Sequence, residues 1–421
     1  MINAVMGSGR VAAYSGPLFR FTQLMEMPMP GPLSSLRILD FSALLPGPFG
    51  TMVLADMGAE VVRLESPGRP DMVRALPPMD QGVSVAHAYL NRSKKSLAVD
   101  LKKPEGVELV KQLVQHYDIV VEQFRPGVMD RLGVGYEALR AVNPKIIYCS
   151  ITGYGQDGPY KDRAGHDMNY LSIAGITGYN GRKASGPAPI NVQVADVAGG
   201  SYHAVMGILA AVIHRQQTGE GQHIDISMTD AAFSMHALTA PPALVAGKQP
   251  TLEGELLNGG SFYDCYETKD GRHFSVGGLE PQFFMQFCNA IGKPHLSSRG
   301  MVTVPEVVAE TRREIAEAMK EKTFAEWQAV FIALDSCTEP VLTFAEACAH
   351  PQIQARGMLV DVPKPGGGTQ RQIASAIRFS STKPRYDFIG APLGAHTPEI
   401  LAAAGISEEQ QAALRKAGVI A

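Results

Sequence analysis

R-I-L-D-F-S-A-L-L-P-G-P-F-G-T-M-V-L-A-D-M-G-A-E-V-V-R-L-E, residues 37–65, reads as one β-α-β unit. The apolar run at 37–42 has the length of a buried strand, P-G-P-F-G at 46–50 of a tight turn, and 51–59 of a helix closing on Gly58. E-V-V-R-L-E at 60–65 is then a second strand, and two strands joined by a helix favour a parallel sheet. The unit lacks G-x-G-x-x-G, so it carries no dinucleotide signal.

Outward from this unit the alternation continues. L-A-V-D-L at 97–101 is a strand, 103–114 a helix, D-I-V-V-E-Q-F at 118–124 a strand, 136–140 a helix, and K-I-I-Y-C-S-I-T-G-Y-G at 145–155 a strand with its turn. G-Q-H-I-D-I-S-M at 221–228 adds one more strand. Then the character changes: alanine and proline dominate 231–250, and the stretch to residue 260 reads as a long connection. Beyond it, residues 263–277 form a β-hairpin turning at Asp270-Gly271, and 281–291 and 311–334 are helical. A β-like tail at 359–386 and a final helix with Ser407 as its N-cap close the chain.

Composition narrows the function. With 421 residues, 45% hydrophobic and 19% charged, the chain has material for two packed domains and little for long disorder. A net charge of -3 supplies no global basic field, which excludes nucleic acid as the main partner. The five scattered cysteines form no C-x-x-C and no zinc spacing, so a reduced compartment, the cytoplasm, is expected and a metal is not. The longest apolar run, at 204–213, is short of the ~20 residues of a membrane span. Residues 1–32 carry Arg10 and Arg20 with no acid before Glu26, and read as an unstructured leader.

Two titratable groups stand out. A-G-H-D-M-N-Y at 164–170 and N-V-Q-V-A-D-V-A-G-G at 191–200 place His166 and Asp196 at the edges of a Gly-rich segment. Asp196 precedes a strongly apolar helix, so an N-cap alone would account for it. Glu280, in G-G-L-E-P-Q-F at 277–283, is a third isolated acid. N-R-S-K-K-S at 91–96 groups Arg92, Lys94 and Lys95 beside a strand end, although such a run also suits a solvated face. Arg125 falls just past the strand at 118–124, where α/β sheets receive ligands.

Taken together, the 36–58 unit, N-R-S-K-K-S, F-R-P-G-V at 124–128, G-H-D-M-N-Y, V-A-D-V-A-G-G, the G-x-G-Q at 219–222 and G-G-L-E-P-Q-F resemble the family-III CoA-transferase (CaiB/BaiF) superfamily, most of all its α-methylacyl-CoA racemases. The resemblance spans roughly residues 33–379. It implies a Rossmann-like large domain with a parallel sheet (33–230 and 350–421), a linker (231–260) and a smaller α+β domain (261–349). It further implies an interlocked homodimer, an acyl-CoA substrate and no cofactor beyond the CoA of that thioester. By position His166 and Asp196 match the racemases' acid/base pair and Glu280 the carboxylate paired with the histidine. Asp167, Tyr170, Arg92, Lys94 and Arg125 match the thioester and CoA surroundings.

Inverting a carbon next to a thioester carbonyl needs a base on one face and an acid on the other, which a histidine and an upward-tuned aspartate can supply in either direction. Gly199 and Gly200, read as a helix start, are candidates for holding the enolate oxygen. A CoA-transferase would instead use Asp196 as nucleophile, passing through an aspartyl-CoA thioester. Two residues favour inversion: His166 has no task in that transfer, and Leu45 stands where formyl-CoA-type transferases carry glutamine.

Overall fold

In a computed structural model, residues 31–421 are described. The expected leader, all but its last two residues, lies outside them. Six parallel strands form the central sheet, in the spatial order His223–Ser227, Ile147–Thr152, Ile119–Glu122, Arg37–Asp40, Glu60–Glu65, Lys94–Ala98. The chain starts in the middle, winds to one edge, and returns to build the other half. The order therefore reverses between Arg37–Asp40 and Ile119–Glu122, and a crevice opens at the carboxyl ends of these two strands.

Helices cover both faces. On one, the Pro46–Asp56 helix and the long helix ending at Thr218 pack Leu54, Ala204, Ile208 and Ala211 against Ile38, Ile119 and Ile147. On the other, the Pro104–Val114 helix and the C-terminal Thr397–Ala403 helix bring Leu109, Leu113 and Leu401 against Leu39, Val62 and Val120. Strands buried on both faces read as continuous apolar runs, which is why 37–42 and 60–65 show no alternation.

A second core, around Trp327, Phe274, Phe284, Phe287 and Phe331, belongs to a smaller antiparallel sheet. Its strands are Asp264–Glu267, His273–Val276 and Thr338–Pro340, flanked by the helices Pro281–Ala290, Pro305–Met319 and Phe324–Phe331. The hairpin at Asp270-Gly271 is present, with Gly271 at φ 77°. The expected final helix also forms: Ser407 caps Glu408–Lys416 by accepting the Gln410 N–H. After the small sheet the chain rejoins the large one, where Asp100 N–H donates to the Val419 carbonyl at 2.8 Å.

Several local expectations are corrected. Residues 46–50 are the first turn of the helix rather than a turn before it, because proline at the helix start loses no hydrogen bond and has a helical φ. The connection at 231–260 contains the end of one short helix, Met228–Ser234, and all of a second, Ala240–Ala246. The apolar segment near 204–213 is part of a continuous helix, Val194–Thr218, 25 residues long and apolar enough by length and composition to cross a membrane. Here it packs on the sheet through Ala204, Val205, Ile208, Ala211 and Val212.

Candidate active site

A cleft of about 740 Å³ opens at the switch point. Leu44, Leu45 and Pro46 line it from the end of the first strand, Gln123 to Pro126 from the end of Ile119–Glu122, and Ile151 to Tyr154 from Ile147–Thr152. His166, Asn169, Tyr170, Asp196 and Met228 complete it. Two of the three acid/base candidates thus share one cavity.

His166 is the N-cap residue of the Asp167–Ile173 helix, and its main chain is firmly held. Its N–H donates to Asn169 Oδ1 at 3.0 Å and its carbonyl accepts from Asn169 and Tyr170. The imidazole is exposed to the cleft. Tyr170 fixes the approach to it: the phenol donates to the Gly165 carbonyl, and the ring fills the space a side chain on Gly153 or Gly165 would need, with virtual Cβ atoms 2.4 and 2.7 Å from Tyr170 Cε1. Any larger residue at either position would push the ring, and with it the His166 loop. Burial pushes the Tyr170 phenol up to about 12, so it remains a donor.

Asp196 is the third residue of a π-helical segment, Val194–Tyr202, that continues into the His203–Thr218 helix. A π turn leaves its early N–H groups without partners, and Asp167 supplies one: its Oδ1 accepts the Asp196 N–H at 2.9 Å. The expected N-cap role therefore fails; Gln193 holds the cap position, and Asp196 is itself capped. No protein donor reaches the Asp196 carboxyl among the described residues. Burial raises it first, the Asp167 charge adds to that, and the group sits at about 7. Asp167→Asn keeps an acceptor for the Asp196 N–H but removes the charge. It is expected to move the Asp196 titration, followed by carbon NMR on labelled aspartate, to lower pH; an unmoved midpoint would show that burial alone sets it.

Gly199 and Gly200 are not oxyanion donors. They lie inside the helix, where their missing side chains let it approach its neighbours: a Cβ on Gly200 would sit 2.9 Å from Pro46 Cβ, and one on Gly199 3.2 Å from the Met228 carbonyl. Ser201 Oγ seals the same contact by donating to the Pro46 carbonyl at 2.6 Å.

The cationic run also divides. Arg92 is 1% exposed and pairs with Asp56 at 2.6 Å, donates to the Ile373 carbonyl, and stacks between Tyr89 and Tyr386. Lys94, equally buried, reaches Asp40 at 3.2 Å, Thr51 and the Pro48 carbonyl. Burial pulls its ammonium down to about 8 in spite of the Asp40 charge. Lys95 pairs with Glu399 near the surface. None of the three lines the cleft. Arg92 fastens the Leu359–Ile373 hairpin to the first helix, and Lys94 ties the Lys94–Ala98 strand to the start of that helix. Arg92→Ala, which strands a buried carboxylate, is expected to cost about 3–5 kcal/mol in denaturant unfolding. CoA affinity should stay within twofold; a selective loss of affinity would return Arg92 to the ligand site.

Arg125 does face the cleft, exposed and without a carboxylate partner among the described residues. Lys161 and Arg163 line the same cleft, and both were missed because the loop 156–163 has no periodicity to orient them. Asn169 was missed too, although its place three residues after His166 is the spacing of a helix-capping partner. Glu280 is exposed at the start of the Pro281–Ala290 helix, near Cys337 on the smaller sheet, and does not line this cleft.

A family model described as CoA-transferase family III matches residues 33–397. The chain belongs to CoA-transferase family III. Among curated relatives, the human protein named alpha-methylacyl-CoA racemase is 36% identical over 387 residues, 90% of this chain and 94% of its own. The succinate–glutarate CoA-transferase of Agrobacterium fabrum is 34% identical over 384 residues, 88% of this chain and 95% of its own. A crystal structure of a CaiB/BaiF family protein from Brucella suis superposes with a TM-score of 0.78 at 32% identity, covering 89% of this chain and all of that one. Family-III members thus include racemases and CoA-transferases at similar distance from this sequence.

Proposed function

We propose that this family-III enzyme is an α-methylacyl-CoA racemase, inverting the 2-methyl centre of acyl-CoA thioesters by 1,1-proton transfer through an enolate. One observation carries the choice: an imidazole and a carboxyl group share the cleft, and the carboxyl is tuned to about 7. Near neutrality Asp196 is populated in both protonation states, as a group that gives a proton in one direction and takes it in the other must be.

In one direction the imidazole of His166 removes the α-proton, the C–H electrons move into the thioester carbonyl, and protonated Asp196 delivers a proton to the opposite face. His166 is then protonated and Asp196 ionised, and proton exchange with solvent resets them. The reverse reaction exchanges the roles. The enolate oxygen needs donors other than Gly199 and Gly200; the first-turn N–H of Asp167, adjacent to His166 and without an intrahelical acceptor, is the donor we assign. Arg125, at the switch point, is assigned to the CoA moiety.

Glu280 enters this scheme only from a second copy. The Val194–Thr218 helix exposes Met206 and Ile213, and the 231–260 connection exposes Leu238, Leu244 and Val245, at 55–88% relative exposure, apolar side chains that a partner subunit would cover. A homodimer that covers it and brings the partner's small lobe over the cleft would set the partner's Glu280 beside His166. The cytoplasm is the compartment we assign, from the five free cysteines.

The other reading, a CoA-transferase with Asp196 as nucleophile, shares the family and the cleft. In that reading the proton that Asp196 carries about half the time near neutrality has no task, because only the anion attacks, and His166 would be idle. Incubating one 2-methylacyl-CoA epimer with enzyme and no added acid separates the two. Racemisation proceeds to a 1:1 mixture. If turnover instead requires a second carboxylic acid and hydroxylamine traps an acyl group on Asp196, the transferase reading replaces ours.

A further inference from the structure

His166 and Asp196 are separated by an insertion comprising the Asp167–Ile173 helix, a 3-10 turn at Ile176–Tyr179, and a small hairpin of Gly181–Arg182 with Gly186–Pro187. Much of what holds this insertion lies downstream of residue 234. His236 Nε2 reaches the Ala174 carbonyl at 2.8 Å and its Nδ1 the Tyr179 hydroxyl at 3.1 Å. Asn258 donates to the Tyr179 carbonyl at 3.0 Å, and the Lys183 N–H donates to Glu253 at 2.9 Å. The last tie goes to the small lobe. Arg182 engages both oxygens of Asp264, one at 2.8 Å, on the first strand of the smaller sheet.

Asp264 is the hub of this arrangement. Its side chain is only 9% exposed, and Arg312 from the Pro305–Met319 helix pairs with it from the other side. Arg312 also donates to the Gly259 and Ser261 carbonyls, at 2.6 and 2.9 Å, fixing the chain as it enters the small lobe. Two guanidinium groups on one carboxylate make its charge fully used on both sides, and they hold the Asp264 carboxyl below its ordinary value against its burial. The hairpin tip is thereby pinned to the smaller sheet, while the insertion's two ends carry the acid/base pair.

We infer that Arg182 is a positioning residue: through Asp264 it transmits the position of the small lobe to the segment joining His166 and Asp196, and so sets the spacing of the pair. This rests on the acid/base reading of the cleft. Arg182 touches no cleft-lining residue in the described contacts, and its role is mechanical. A displacement of about 1 Å at a reacting group costs up to ~10²-fold in rate, whereas the buried Asp264 carboxylate keeps its Arg312 partner when Arg182 is replaced, so the loss of global stability stays small.

The test is Arg182→Gln in the full-length protein, with Arg182→Lys as the conservative partner. In Arg182→Gln, kcat for α-proton exchange should fall about tenfold. The dissociation constant for CoA should stay within twofold, and Tm within about 3 °C. Amide hydrogen exchange should quicken in peptides covering residues 167–180, and Arg182→Lys should recover most of both effects. Unchanged kcat with unchanged amide protection would overturn the inference, as would a fall in kcat matched by lost CoA affinity and a large drop in Tm. If the wild-type enzyme exchanges no α-proton, the racemase reading fails, and amide protection in 167–180 alone then decides whether the small lobe steadies this segment.

Discussion

Replacing His166 by alanine is expected to lower the rate of α-proton exchange by ~10²–10⁴-fold, the span typical of removing one positioned acid or base. The protein should barely notice the change otherwise. The imidazole is exposed to the cleft and its one duty to the fold is as N-cap of the Asp167–Ile173 helix, facing the Asn169 N–H, so unfolding free energy should fall by no more than about 1 kcal/mol. The loop keeps its shape because Asn169 and Tyr170 grip the His166 main chain, which alanine retains. CoA binding should likewise persist. Loss of exchange with intact folding and intact CoA affinity is the signature of a chemical role, and equal losses in all three would mark His166 as structural.

The second large effect concerns Asp196 and has an unusual sign. In the folded chain this carboxyl sits at about 7, raised by burial and then by Asp167 from an ordinary value of 3.8. The folded state therefore holds more protons than the unfolded state between those two values. Linkage makes stability fall as pH rises through that window, with the site's contribution fully present below about 4 and lost above about 7. Asn at 196 stays neutral at every pH and has nearly the same shape. Asp196→Asn should thus abolish exchange and yet stabilise the protein at pH 8, by on the order of 2–4 kcal/mol, which is several degrees in Tm. At pH 5 the gain should be less than half as large. Thermal melts at the two pH values check it, and equal melting curves at pH 8 would mean that the ionised carboxylate is well solvated.

These two residues illustrate what was legible in the sequence. The strands were readable because burial on both faces leaves uninterrupted apolar runs, and the β-α-β order then fixed the parallel sheet and its crevice. Arg125 was readable from its place just past a strand end, and His166 and Asp196 as titratable groups at the edges of a Gly-rich segment, whereas Tyr170 came only from the family resemblance; all four line the cleft. Backbone detail did not follow. Pro46 starts the first helix although P-G-P-F-G looks like a turn, and Gly199 and Gly200 are contact points between helices although they read as a helix start.

Charge was the least legible property. Arg92 and Lys94 sit in a run that reads as surface or ligand site, yet both are buried because Asp56 and Asp40 come from a helix and a strand tens of residues earlier. Nothing local encodes such pairings. Leu44, which lines the cleft at φ 60°, carries no sequence sign of that conformation. Glu280 shows the limit of local context: its motif is distinctive, but within one chain it does not line the cleft that holds His166.

Proton removal from the α-carbon by a pair of groups in one cleft is the proposed event, and α-deuterium incorporation measures that event itself. A single 2-methylacyl-CoA epimer incubated with the full-length enzyme in D₂O, without any acceptor acid, is followed by mass spectrometry across a small panel of acyl groups. We predict one deuterium per inverted centre for at least one member of the panel, with the incorporation lost in His166→Ala and in Asp196→Asn. Transfer of CoA to an added carboxylic acid with no deuterium in the α position, for every member of the panel, would contradict it.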